Sequence, residues 1–258
     1  MFLTNLFDQS FDFQARAWSD LGWEAVRTDD GSWSLRDLSG PSQELMHHRW
    51  GAYSETEYVI SRVLPDVFKY VCDPFILNLG LGLGYNELRL ATVAFQNKKS
   101  IAGITFEKDL MLLRLFAHTL MGHTRGADAG IVPDPFKMVY RDVFSLHPVE
   151  GLEFFLSLLL GQQWQLHGAL NLRQLYEELR GKVHLFVWDP FSPKTSPELW
   201  VEEDLVHFLS WTAHPQYSWF TTYACNGVLK RALKRAGFHV VVMPGFGSKK
   251  HSLIGFRQ

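Results

Sequence analysis

The chain has 258 residues, enough for one large α/β domain, and its 47% hydrophobic and 14% aromatic content excludes a disordered chain. A net charge of −2 provides no global field to attract a polyanion, and two cysteines, Cys72 and Cys225, cannot form a disulfide framework and fit a reducing compartment. The opening MFLTNLFDQSFDF lacks a basic leader and carries Asp8, and the most apolar stretch, 152–160, is about half of what a membrane span needs, so a cytoplasmic protein without a membrane partner is expected.

In chain order, residues 23–39 read as two strand-like runs around Asp30-Gly31, a hairpin signal. A polar stretch, GPSQELMHHRWGAYSE, leads to a helix over 56–71 that must bend or break near Pro65. From residue 75 the pattern alternates. Strand-like runs fall at 75–79, 101–106, 136–140, 183–188 and 217–222, separated by helical stretches that include 108–121, 167–180, 201–212 and 227–236. That alternation predicts a mostly parallel sheet covered on both faces. The last two runs, 238–243 and 252–257, are separated by eight residues, too few for a crossover helix, so they should be antiparallel. The expected organisation is a small N-terminal hairpin and helix extension, 1–70, packed on a core domain, 71–258.

The segment FILNLGLGLGYN carries the strongest chemical signal. An apolar run ends in Gly80-x-Gly82-x-Gly84 and opens into a helix, so the backbone can approach a ligand closely and the first turn offers free N–H groups. Glu107 follows the second run, 23 positions beyond Gly84, where a nucleoside site needs a carboxylate for ribose hydroxyls. In open parallel sheets ligands sit beyond the carboxyl ends of the strands. The expected nucleoside-binding set is therefore Asn78, Gly80, Leu81, Gly82, Gly84, Asn86, Glu107 and Lys108, with Asp142 and Val143 after the third run. Asp142 is there to accept an adenine amino group, with a surface helix cap as the bland alternative. After the fourth run, VHLFVWDPFSPKTSPELW sends Asp189 out of a nearly wholly apolar strand into Pro190-Phe191. A turn-capping carboxylate stiffened by proline would look the same. His47-His48 beside Met46 has no ligand partner at metal spacing, so no metal is expected. Residues 226–258 hold seven Lys/Arg and no acid, either a solvated face or a phosphate-facing patch.

A parallel sheet that finishes in one antiparallel hairpin resembles the class I S-adenosylmethionine (SAM)-dependent methyltransferases, a Rossmann-like fold with a mostly parallel seven-stranded sheet; a dinucleotide-binding Rossmann domain would continue with parallel strands. Asp189-Pro190-Phe191 is similar to the Asp-Pro-Pro-Tyr/Phe segments of amino-methyltransferases, in which a carboxylate holds an N–H and an aromatic ring stacks on the attached base. Such transfer needs positioning more than acid–base help, because SAM already carries an activated methyl group.

Over most of its length the chain resembles the methyltransferase half of the MnmC family of bifunctional tRNA-modification enzymes and its stand-alone relatives. TDDGSWSL, ELMHHRWGAYSE, LGLGLGYNEL, WDPFSPKTSPELW and TYACNGVLKRALKRAGF…PGFGSKK match family segments in order. The resemblance implies methyl transfer from SAM to the exocyclic amine of 5-aminomethyl-2-thiouridine at the tRNA wobble position. It makes Asp189 and Phe191 the catalytic pair and Glu107 the ribose ligand, with His47, Glu55, Lys194, Lys230, Lys249 and Lys250 toward the tRNA. The flavin-dependent half is not matched, so the preceding removal of carboxymethyl is not expected here. Asn78 stands where the family has an acidic or polar residue, Ser196 replaces an Asn, and Leu229-Lys230 replaces Val-Arg. Residues 145–181 are long, and their Phe/Leu-rich helix is expected to reshape the substrate mouth. Two other readings stay open: a SAM-dependent methyltransferase of a small-molecule or protein amine, and a non-catalytic binding protein of the same fold.

Overall fold

The computed structural model describes residues 13–40, 42–125, 132–168 and 176–258; the expectation about the N-terminal leader lies outside them. Strands β1 (Trp23–Arg27) and β2 (Trp33–Asp37) form the antiparallel hairpin expected around Asp30-Gly31. Gly31 adopts φ +83°, which the turn requires, and the Thr28, Ser32 and Ser54 hydroxyls converge on the Asp30 carboxylate. Burial would raise Asp30, but hydrogen bonds from Ser32 and Ser54 outweigh it and hold the carboxyl down to about 2.

The expected break at Pro65 separates α1 (Ala52–Ser61) from α2 (Leu64–Tyr70), where the proline sits in the first turn and has no N–H to leave unpaired. The main sheet comprises β3 (Phe75–Leu79), β4 (Ala102–Glu107), β5 (Trp164–Gly168), β6 (Leu185–Trp188), β7 (Ser218–Thr222), β8 (His239–Pro244) and β9 (His251–Arg257), in the order β5-β4-β3-β6-β7-β9-β8. The first five are mutually parallel; β9 enters between β7 and β8 and runs antiparallel to both. The Arg62 guanidinium, just past α1, pins that reversal by donating to the Thr222 and Leu253 carbonyls at 2.7 and 3.1 Å and to Ser252 Oγ at 2.6 Å. Helices α3 (Tyr85–Gln96), α4 (Leu110–Arg125), α5 (Asp134–Ser145), α6 (Val149–Leu160), α7 (Tyr176–Leu179), α8 (Glu202–Thr212) and α9 (Gly227–Arg235) complete the covering layers. One apolar cluster contains Leu88, Phe116, Phe155 and Trp164, and the other contains Phe186, Trp188, Phe208 and Phe220.

The sequence reading of the third strand is corrected. Residues 136–140 belong to α5, and the strand is β5 at Trp164–Gly168. Phe136, Val139, Tyr140, Val143 and Phe144 are buried at helical spacing, which a five-residue window does not reveal. The expected helix over 167–180 is α7 alone among its described residues, with 167 and 168 in β5. Helix α6 packs on α3 and α4, where Gly151 permits a crossing so close that a Cβ would lie 2.3 Å from Thr92 Oγ1. Among the described residues no single helix is long and apolar enough to cross a membrane; α5 and α6 pass only as a pair bent by 113°.

Candidate functional site

The glycine loop leaves β3 at the carboxyl edge of the sheet. Gly80 has φ +95°, and a Cβ there would lie 2.7 Å from the Asp189 carbonyl oxygen. Gly84 has φ +84°, and its Cβ would lie 2.2 Å from the Phe116 ring. The backbone therefore passes where any side chain would collide. Glu107 ends the adjacent parallel strand at the same level. Its Oε2 accepts from the N–H groups of Leu81 at 3.1 Å and Gly82 at 3.2 Å, and its Oε1 accepts from Asp109 N–H at 2.9 Å. Burial raises the Glu107 carboxyl and these donors oppose the rise. Three backbone bonds leave the two carboxylate oxygens with acceptor capacity to spare.

Between the loop and the β6 terminus lies a crevice open to solvent. Gly80, Leu81, Gly82, Glu107, Lys108, Asp189 and Phe191 line it together, joined by Met46 and His47 from the N-terminal segment. Asp189 Oδ2 accepts from Asn86 Nδ2 at 2.9 Å, which leaves Oδ1 for another donor. Burial first, then the nearby Glu55 charge, pushes the Asp189 carboxyl up to about 7, while Asn86 and Lys249 act to lower it.

Asn78, Asn86 and Gly84 support this site from behind. Asn78 Nδ2 donates to the Gly80 carbonyl at 3.0 Å and to Glu87 Oε1, which also accepts from Thr105 Oγ1 at 2.7 Å; Thr105 in turn accepts from Trp164 Nε1 at 3.0 Å. Glu87 is fully buried, and burial pushes it up to about 8. An amide at position 78 gives this carboxyl a donor, whereas a second carboxylate would repel it. The sequence reading missed Glu87: an acidic residue in a helix first turn ordinarily marks an exposed, dipole-favoured position, and nothing local signals that it turns inward.

The segment after Asp189 is held along its length. Tyr223 Oη donates to the Pro190 carbonyl at 2.5 Å, Trp200 Nε1 donates to the Phe191 carbonyl at 2.9 Å, and Glu44 accepts from Ser192 Oγ at 2.8 Å and Thr195 Oγ1 at 2.6 Å. The Phe191 ring stacks at 12° on Trp23, centroids 6.1 Å apart, and the Trp23 indole N–H is fixed by Asp109 Oδ2 at 2.7 Å. The N-terminal segment therefore supplies one wall of the crevice. Burial keeps Tyr223 protonated by raising it well above its usual range. Replacing Tyr223 by Phe is expected to leave that carbonyl without its donor and to lower unfolding stability by about 1–3 kcal/mol, measured by denaturant titration.

Several other sequence-predicted residues lie away from the crevice. Asp142 and Val143 are not brought to the crevice, because their segment is helical: Asp142 bonds Arg27 and Trp33 Nε1, and Val143 is fully buried in the core. After Gly168, the last residue of the strand that takes the expected place, the sequence has no carboxylate before Glu177. Lys249 does not face outward; its Nζ pairs with the buried Glu55 Oε1 at 2.7 Å and sits 3.9 Å from the Tyr223 ring centroid. Glu55 Oε2 also accepts from His48 N–H at 2.7 Å. His47 meets Ser34 Oγ at 3.2 Å, and burial holds it down to about 4, neutral at physiological pH. Lys108, Lys194 and Lys250 are exposed, and Lys230 is half-buried on α9, where Arg231 and Arg235 are ion-paired with Glu202 and Glu203. None of the described residues of the 145–181 segment lines the crevice; residues 169–175 of that segment lie outside the described residues. Cys72 is exposed and Cys225 half-buried, both as free thiols. Among the described residues no cluster of three or more His, Cys, Asp or Glu is placed to hold a metal.

Residues 166–258 match a family described as S-adenosyl-L-methionine-dependent methyltransferase. A curated relative from Burkholderia vietnamiensis, the tRNA 5-methylaminomethyl-2-thiouridine biosynthesis bifunctional protein MnmC, is 27% identical over 237 residues, which cover 88% of this chain and 34% of that protein. The protein of the same name from Chromohalobacter salexigens is 38% identical over 77 residues, 30% of this chain and 11% of its own. The chain thus spans about a third or less of the curated relatives it matches. The crystal structure of MnmC2 from Aquifex aeolicus superposes with a TM-score of 0.63 at 23% identity, covering 91% of this chain and 70% of that one, and shows the same class I methyltransferase fold.

Proposed function

We propose that this chain, an MnmC-like SAM-dependent methyltransferase, methylates the exocyclic amine of 5-aminomethyl-2-thiouridine in tRNA. The observation that carries this reading is Asp189: a half-buried carboxylate with one oxygen held by Asn86 and the other free, facing the same crevice as the glycine loop and Glu107.

The crevice fits SAM at Glu107, which retains lone pairs for ribose hydroxyls after satisfying three N–H groups. Gly80, Leu81, Gly82, Glu107 and Lys108 would hold it. When bound, SAM supplies a methyl group made electrophilic by its positive sulfur.

The residues of the chain do the rest by positioning. Asp189 Oδ1 accepts an N–H of the acceptor amine and so fixes the direction of the nitrogen lone pair. The same oxygen receives the surplus proton when the nitrogen gains its fourth bond. Phe191, backed by Trp23, offers a ring face on the crevice wall for the base that carries the amine. The division into an extension, 1–70, and a core, 71–258, belongs to this proposal, since Met46 and His47 help form the pocket. A tRNA substrate would place the protein in the cytoplasm.

Incubation with radiolabelled SAM should label tRNA that carries the free aminomethyl group and leave tRNA lacking the wobble modification unlabelled. Equal labelling of both would refute the acceptor assignment. Transfer only to a free or protein amine would favour the small-molecule or protein-amine reading.

A further inference from the structure

Of the nine tryptophans, all within the described residues, only Trp50 is exposed, at 55%. It projects from a segment, 47–51, that is locked on every side. His48 accepts from Trp50 N–H at Nδ1 (3.1 Å), its Nε2 meets Ser248 Oγ at 2.8 Å, and its ring lies edge-on to both Trp50 and Phe246. Gly247, at φ +62°, makes room for that ring, since a Cβ would lie 2.4 Å from it. On the other side the Arg49 carbonyl accepts from Asp29 N–H at 2.8 Å, and a Cβ on Gly51 would lie 2.1 Å from Asp30 Oδ2. What this rigid segment turns outward is an indole and a guanidinium. The Arg49 side chain is 84% exposed and makes one long ion-pair contact, 3.8 Å, to Asp29, itself 57% exposed. Lys250 is exposed two residues beyond the Ser248 anchor. The nearby carboxylate of Glu55 is buried against Lys249 and does not offset these two charges.

We infer that Trp50, Arg49 and Lys250 form a docking platform for an unpaired nucleotide of the RNA substrate, with a base stacked on the indole and its flanking phosphates on the two cations. An aromatic face between cations is the combination by which proteins hold single-stranded RNA without reading its sequence. Preorganisation by His48 and Gly247 reduces the ordering entropy lost on binding. His47, three residues before Trp50, lines the crevice, so the segment that carries the indole begins at the crevice wall. This inference rests on the proposal that the substrate is tRNA.

The test is fluorescence anisotropy of a labelled anticodon stem-loop RNA with the full chain. Trp50→Ala should weaken binding by about 10- to 100-fold, Trp50→Phe should retain most of it, and Arg49→Gln/Lys250→Gln should flatten the dependence of log K on log salt by about 1 to 2. Calorimetric affinity for SAM should stay at the wild-type value in all three, which separates a lost platform from a lost fold. Wild-type RNA affinity in Trp50→Ala would overturn the inference while leaving the methylation proposal standing. A wild-type chain that binds no RNA at all would overturn both.

Discussion

Asp189→Asn is expected to lower kcat for methyl transfer by about 10²- to 10⁴-fold while leaving the affinity for SAM nearly unchanged. The substitution keeps the shape of the side chain and an oxygen for Asn86 Nδ2, but it removes the negative charge to which the proposed reaction assigns the acceptor N–H and its proton. A second signature distinguishes this role from a structural one. The folded carboxyl sits at about 7, whereas an unfolded aspartate titrates near 3.9. Below the unfolded value both states are protonated and the contribution to stability is fully present. As pH rises the unfolded chain ionises first, and stability is lost at up to about 1.4 kcal/mol per pH unit until the folded value is passed. The Asn variant does not titrate, so its stability relative to wild type should rise between pH 4 and 7 and level off above. In the wild-type enzyme kcat/KM should increase as pH passes through about 7. A variant that is inactive yet more stable at pH 8 fits this account; full activity in Asp189→Asn removes the residue from its assigned role.

Glu107→Gln is expected to weaken SAM binding by about 10- to 100-fold, because a charge-assisted hydrogen bond contributes about 1.5–3 kcal/mol. The two carboxylate oxygens receive three backbone N–H groups from two directions, so an amide must aim its own N–H at one set of donors. Either orientation leaves a buried donor facing a donor. The glycine loop should loosen together with the loss of the ribose acceptor. Isothermal calorimetry reads the affinity and thermal denaturation the loop; wild-type values in both would contradict the placement of Glu107 under the loop.

Much of the fold is written in short-range signals. Asp30-Gly31, Pro65, the glycine loop, and an eight-residue gap before the last strand each dictate a local geometry, and the structure has each of them where the sequence places it. Asp189 and Glu107 are legible for the same reason: each is the first acidic residue after an apolar run, and parallel strands bring such residues to one edge. The third strand was not legible in this way. FKMVY is short and apolar and satisfies a strand window, whereas the buried period over 134–145 is helical. Lys249 and Glu55 show a different limit. They are 194 residues apart, and nothing in either neighbourhood tells that the two charges neutralise each other instead of facing a phosphate. Glu87 and Trp50 illustrate the same limit in opposite senses, a carboxylate turned inward and an indole turned outward against the ordinary preference of each.

The central claim is that one crevice at the carboxyl edge of the sheet seats SAM against Glu107 and presents Asp189 to the acceptor amine. A crystal structure with S-adenosylhomocysteine tests it most directly. The account predicts density in the crevice, with the ribose hydroxyls on Glu107 and the sulfur on the side of Asp189. Density elsewhere on the protein, or none at millimolar ligand, would contradict it.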